Sequence, residues 1–299
     1  MPSLNSLMMI EEAKQRFRSF QLKAVSLSGT GTAGAGSGIP IRPSIQPPGN
    51  LGGNLSRIAP SSIQQIASPM PMPPALFVAA SNSAQDVANQ KQYSQEFSDF
   101  IEGICKALCQ AHDQWRRLAY FKNVVVNGIT AMGGTLEGPG LQPYILPFAP
   151  VTGALGWALQ YSTAIAAGIQ DRWRDFQQSF SIPGLPWYPS FAVVPMPVAP
   201  PTPNVPTPLI ACPNNSFMIE TSMIRDAIKQ KLGMPGPFSD QLFEAVAAGF
   251  SLCARLWIQM QMITQAKGTG PVPTFAPPFV PTGPVVNGQV IPEPGHLAS

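Results

Sequence analysis

The sequence predicts a mainly α-helical protein: helices joined by long extended Pro/Gly-rich straps, a repeated helix–strap unit, little sheet and no single compact core. Three observations predict it. Apolar residues recur at helical spacing in several long blocks. Between the blocks lie proline-rich stretches, and proline cannot continue a helix. Charged residues make up only 11% of the chain while 44% is hydrophobic. A free compact monomer with that balance is short of the surface charge that keeps it dispersed.

The first element is an amphipathic helix within residues 1–25. Leu7, Ile10, Ala13, Phe17 and Phe20 recur at spacings of three and four, with Lys14, Arg16, Arg18 and Lys23 among them. Residues 26–83 read as an extended Gly/Ser/Pro-rich arm, because large apolar residues are few and the composition favours an open chain. A first helix–strap unit is expected over 84–151. Its helix, about 85–121, carries Phe97, Phe100, Ile101, Ile104, Cys105, Leu108, Cys109 and Trp115 on one side. A degenerate second unit over 152–215 has a helix near 153–180 with Trp173, then a proline-rich stretch over 183–208.

The third unit spans 216–299. It opens with a short helix to Leu232, stopped by Gly233 and Pro235. A longer helix runs from Ser239 to about Ala266, stopped by Gly268 and Pro271. Ser239 is a natural N-cap, since its hydroxyl can accept from a first-turn amide. The repeat rests on Phe97-Ser98-Asp99 leading to Trp115 and Phe238-Ser239-Asp240 leading to Trp257, each followed by Gly-Pro and a Pro-Phe strap.

Each strap carries aromatic anchors: Tyr144 and Phe148; Trp187, Tyr188 and Phe191; Phe275 and Phe279. Proline fixes the backbone near polyproline geometry, so such a segment has little entropy left to lose on docking. These seven residues are the candidate partner-binding set.

Composition excludes several function classes. No run of 18 apolar residues lacks a charge or a polar break; the stretch ending at Ile263 is interrupted by Arg255, Gln259 and Gln261. Membrane insertion is therefore not expected. Glu11 and Glu12 interrupt the place a leader's apolar core would need, so no leader is expected. Net charge is +3 with pI near 8.7, too mild to argue for nucleic acid. Four sparse cysteines fit synthesis in a reducing cytoplasm.

Material for chemistry is scarce. Cys105, Cys109 and His112 share one helical face, and Cys253 could join them, but a closed zinc site needs four ligands. The plainer reading is small core residues. The other histidine, His296, lies in a tail expected to be exposed. Asp99 with Glu102 and Asp171 with Asp175 read as solvated helix faces. The Gly-rich run over 30–38 lacks the Lys-Ser/Thr ending of a phosphate loop. No catalytic, cofactor-binding or metal residue is expected, and no enzyme.

The strap Gly270-Pro271-Val272-Pro273-Thr274-Phe275-Ala276-Pro277-Pro278-Phe279-Val280-Pro281, ending Gly283-Pro284-Val285-Val286, resembles segments in structural proteins of contractile-tailed bacteriophages. The likeness covers about a quarter of the chain and rests on a motif of low complexity. It implies a virion component made in the host cytoplasm, bridging or clamping neighbouring subunits, with the tail or baseplate as its expected place. Its partners would be other virion subunits and further copies of itself, with no small-molecule substrate. Capsid decoration or another head role is the alternative. A membrane-active lysis protein is the rival from another class.

Overall fold

Long helices form close to where the apolar spacing puts them, and several pieces of the proline-rich stretches between them form strands. The computed structural model describes residues 3–25, 79–151, 157–187, 198–236, 238–272, 275–276, 280–281 and 284–297. The chain divides into two units. The smaller, Lys23–Ser98, has as its described part the end of one helix and the start of another, where Gln92 Nε2 donates to Glu96 Oε1 at 3.1 Å. Most of the expected arm lies outside the described residues, and its last five residues, 79–83, are helical.

The larger unit, Met1–Leu22 with Asp99–Ser299, holds the core. Its helices are α1 (Ser6–Val25), α2 (Ala79–Leu118), the single turn α3 (Gln142–Ile145), α4 (Ala158–Gln178), α5 (Thr221–Leu232) and α6 (Ser239–Met260). α1 and α2 each run into the smaller unit at one end.

Met9, Ala13 and Phe17 form the buried stripe of α1. Gly249 of α6 lets α1 come close, since a β-carbon there would lie 2.7 Å from the Met9 carbonyl oxygen. Ion pairs hold the rims: Lys14 reaches Glu102 at 2.6 Å and Arg16 reaches Glu244 at 2.9 Å. Lys106 also bonds Glu102, and the two lysines hold that carboxyl down at about 2.

α4 packs on α5, and α5 on α6. Aromatic side chains fill the space between α2, α4 and α6: Phe100 meets Trp157, Tyr161 meets Phe243 and Trp173 meets Phe250. Gly168 marks the closest crossing. A β-carbon there would sit 2.7 Å from both the backbone nitrogen and the Cα of Ile228. Alanine is the better helix former by about 1 kcal/mol, but backbone cannot yield as a flexible side-chain end can. Gly168→Ala should therefore be net destabilising, by about 1–3 kcal/mol. A lowered urea midpoint would show it; a raised midpoint would mean that α4 and α5 separate freely.

The strands overturn the expected fold class. A six-stranded, wholly antiparallel sheet runs in the order β3-β2-β1-β10-β7-β4. Its members are β1 (Tyr120–Asn127), β2 (Thr130–Glu137), β3 (Ile182–Pro186), β4 (Val198–Pro203), β7 (Lys267–Pro271) and β10 (Gly288–Val290). Two small pairs accompany it: β5 (Thr207–Pro208) with β6 (Met262–Ile263), and β8 (Phe275–Ala276) with β9 (Val280–Pro281). This is a mixed α and β protein whose helices and sheet share a packed interior, not a helical protein of extended straps lacking a core.

The two outer strands of the sheet also meet. Just past β3, Trp187 forms an antiparallel bridge with Asn204, just past β4. The Val205 amide donates to the Pro186 carbonyl at 3.2 Å. Because this bridge joins the C-terminal ends of the two strands, β3 lies beside the chain running on from Asn204, and the sheet curls into a small barrel with one offset, sparsely paired seam. Trp187 is 3% exposed and lies against Gly268. Its indole Nε1 donates to the Thr202 carbonyl at 3.1 Å.

The connectivity has a threefold pattern. Three times a long helix carries a tryptophan near its C-terminus and then feeds a strand of the barrel: α2 with Trp115 into β1, α4 with Trp173 into β3, α6 with Trp257 toward β7. Each unit then contributes a second strand, β2, β4 and β10 respectively. Around the barrel the first strand of every unit pairs with the second strand of another: β1 with β10, β7 with β4, β3 with β2. The straps themselves are not equivalent. The Pro147–Pro150 stretch follows a second strand, whereas the Pro278–Pro281 stretch falls between first and second strands.

Candidate interaction surface

The seven strap aromatics do not converge on one face. Tyr144 is half-buried in α3, and Phe148, just beyond it, is 53% exposed. Val151 and Leu159 are exposed as well, and the Ser162 hydroxyl donates to the Pro150 carbonyl. Trp187 is committed to the barrel interior of its own chain. Phe275 lies in β8, its backbone paired with Pro281. Tyr188, Phe191 and Phe279 lie outside the described residues.

Sequence reading missed a different set, on the barrel rim. Ile129, in the turn between β1 and β2, Val198, the first residue of β4, and Val286, two residues before β10, are 60%, 46% and 40% exposed. Backbone hydrogen bonds link them into one rim: Trp187 N to Ile129 O, Gly128 N to Val285 O, and Val286 N to Pro271 O, with Pro271 paired to Val198. The signal for the first of these was Asn127-Gly128 between two apolar runs, the strongest short-range mark of a hairpin. Gly128 has φ of +61°, as a tight hairpin turn requires.

The residues capable of chemistry are drawn into the core. All four cysteines are free and buried. Burial pushes the thiols up, Cys109 to about 12 and Cys212 and Cys253 to about 11, so they are protonated and poorly nucleophilic. Cys109 Sγ lies 3.9 Å from Met9 Sδ, and Cys253 Sγ is 3.6 Å from the Asn5 carbonyl. Among the described residues no three His, Cys, Asp or Glu side chains are grouped to hold a metal.

His112 is fully buried among three indoles, with ring centroids 4.6 Å from Trp257, 5.2 Å from Trp173 and 5.4 Å from Trp115. Neither ring nitrogen has a hydrogen-bond partner. Burial first, and then the Arg116 charge, lowers its pKa to about 3. Trp115 Nε1 and the Gly138 amide both donate to the Gln177 side-chain carbonyl, at 3.0 and 3.2 Å.

His296 is not in an exposed tail. It is 1% exposed, its Nδ1 accepts from the Phe121 amide at 2.8 Å, and its ring stacks on Phe121. The Gln261 side chain donates to the Leu297 carbonyl, which ties the tail to the end of α6. Ser239 likewise departs from its expected role. It is the first residue of α6, with Phe238 at the N-cap, and its hydroxyl hydrogen-bonds the Tyr161 hydroxyl.

The acidic and basic candidates are mostly paired. Asp171 bonds Lys231 at 2.7 Å and Asp175 meets Arg172 at 3.3 Å. Asp113 takes both Arg116 and Arg117, and Lys122 reaches Glu137. The Gly-rich run over 30–38 lies outside the described residues. Among the described helices, only α6 is long and apolar enough to cross a bilayer, and most of that stretch is buried in the fold.

No family model, curated protein or solved structure matches this chain.

Proposed function

We propose that this chain is a structural component of a bacteriophage particle, bridging or clamping neighbouring subunits in the tail or baseplate. One observation carries the reading: several large apolar side chains stand exposed on a chain with little charge to solvate them. Leu7 is 73% exposed, Met234 83%, Ile129 60% and Leu159 54%. On a chain this poor in charge, a partner that covered these side chains would remove apolar surface from water. The burial of every thiol and both imidazoles supports a binding role over a catalytic one.

The test is quantitative mass spectrometry of particles purified from the producing host. The chain should be recovered in stoichiometric amount after a high-salt wash, which does not release apolar contacts. Six or twelve copies per particle would support a position on the tail axis. Hundreds of copies would favour the capsid role instead. Recovery in a detergent-soluble membrane fraction, with none in particles, would refute the reading.

A further inference from the structure

We infer that residues 293–297 form a strap held down only while the His296 imidazole is neutral at Nδ1, so that acid frees the strap while the rest of the core stays folded.

The strap ties together two places far apart in the chain. Between α2 and β1, the Ala119 carbonyl accepts from the Gly295 and His296 amides, both at 3.2 Å. Beyond α6, the Gln261 side chain donates to the Leu297 carbonyl at 3.1 Å, and the Thr264 amide donates to the His296 carbonyl at 3.4 Å. Gly295 makes the turn with φ of +103°, a value that a residue with a β-carbon rarely adopts. The side chains that seat the strap are His296, 1% exposed, and Leu297, 0% exposed. So small a set of contacts can open without the rest of the fold.

One hydrogen bond makes the strap sensitive to protons. The Phe121 amide donates to His296 Nδ1 at 2.8 Å, so Nδ1 presents a lone pair and the proton of the neutral ring sits on Nε2. A second proton, on Nδ1, would set a donor against a donor and leave the amide without its acceptor. It would also bury a cation. The charged groups on the elements around His296 are already paired. Lys122 meets Glu137, which also takes the Tyr120 hydroxyl; Lys267 meets Glu293; Arg116 and Arg117 meet Asp113; Arg255 meets Glu220. Burial lowers the His296 pKa to about 4, and the Ile291 backbone is the smaller, opposing influence. A freed strap returns the ring to water and to its ordinary value of 6.5. The strap is thus fully held above that value and loosens as pH falls toward the lower one. His112 differs, because three indoles enclose it and its protonation opposes the whole fold.

Native-state hydrogen exchange, followed by NMR on the full chain and corrected for intrinsic rates, tests the strap. From about pH 7 to about pH 4 the Phe121 amide should lose protection about a hundredfold. The opening should be one that dilute urea does not promote, and the amide of Ile169, buried in α4, should stay better protected throughout. His296→Asn keeps an acceptor oxygen in the place of Nδ1 and cannot take the proton, so Phe121 protection should then be constant with pH. His112→Phe should leave the loss unchanged. Constant protection of Phe121 in the wild type, equal protection of Phe121 and Ile169, or a loss that His112→Phe removes or His296→Asn retains would each overturn the inference. Should asparagine fail to seat the strap, the ring nitrogens of the wild type decide by direct NMR titration. A proton on Nε2 alone at neutral pH, with a midpoint well below 6.5, is the expected result. A proton on Nδ1, or a midpoint at the ordinary value, would overturn it.

Discussion

As pH falls from about 7 to about 4, the folded state should lose on the order of 3 kcal/mol through His112 alone. The imidazole is neutral in the fold, with its pKa pushed down to about 3, whereas in the unfolded chain it has the ordinary value near 6.5. Below that ordinary value the unfolded chain takes up a proton that the fold refuses. Stability is thus complete above pH 6.5 and drains away as pH falls toward the folded value. His296, lowered to about 4 chiefly by burial, acts in the same direction. The causes are visible in the surroundings: three indoles face His112, and Arg116, whose charge also opposes protonation, is only 6% exposed.

His112→Phe separates the two histidines. Phenylalanine keeps a flat ring among the tryptophans and removes two ring nitrogens that have no hydrogen-bond partner. Leaving a buried polar group unpaired costs about 1–3 kcal/mol, so the variant should match or exceed the wild type at neutral pH. Its advantage should widen steadily as pH falls. Urea denaturation at intervals between about pH 8 and pH 4 measures that difference. A difference that stays constant with pH would show that His112 already finds a proton acceptor in the fold.

The helices were legible because burial needs a periodic stripe, and the stripe survives in the sequence. α1 runs Ser6–Val25, and Ile10, Ala13 and Phe17 of its expected stripe are buried, whereas Leu7 is exposed. The positions of Trp115, Trp173 and Trp257 near helix ends were likewise visible, although not their convergence on His112. The barrel was not legible. β3 reads Ile-Pro-Gly-Leu-Pro and β4 reads Val-Ala-Pro-Pro-Thr-Pro. Prolines removed the alternation that marks a strand, and they suggested polyproline straps instead. Such strands pair sparsely, with register shifts in the β2–β3 and β4–β7 ladders, which is how a ladder tolerates missing amides. The rim stayed hidden with the strands, since exposure of Ile129, Val198 and Val286 has meaning only once the strand order is known. A fully apolar helix face also cannot reveal in sequence whether its cysteines are ligands or filler; the fold decides that by burying them.

Trp187→Ala should unfold the barrel seam and cost about 3–5 kcal/mol, the range for truncating a fully buried tryptophan. The sequence offers a competing role for this residue, an exposed anchor that inserts into a neighbouring subunit, and the two roles predict opposite results. As an anchor, its loss would leave the isolated chain as stable as before and abolish incorporation into particles. In the fold it is 3% exposed, it fills the space that Gly268 leaves open, and its Nε1 donates to Thr202 across the seam. The main chain at the same residue donates to Ile129 O on one side and bridges to Asn204 on the other. Removing the indole therefore empties the interior at the one junction that has almost no ladder to hold it. Trp187→Phe should recover much of the packing and lose the Thr202 bond, a loss of about 1 kcal/mol. Denaturant unfolding of the two variants, with hydrogen exchange at the Val205 amide as a local probe of the seam, gives the order expected: wild type, then phenylalanine, then alanine. An alanine variant with wild-type stability and a protected Val205 amide would remove Trp187 from the core and return it to the surface.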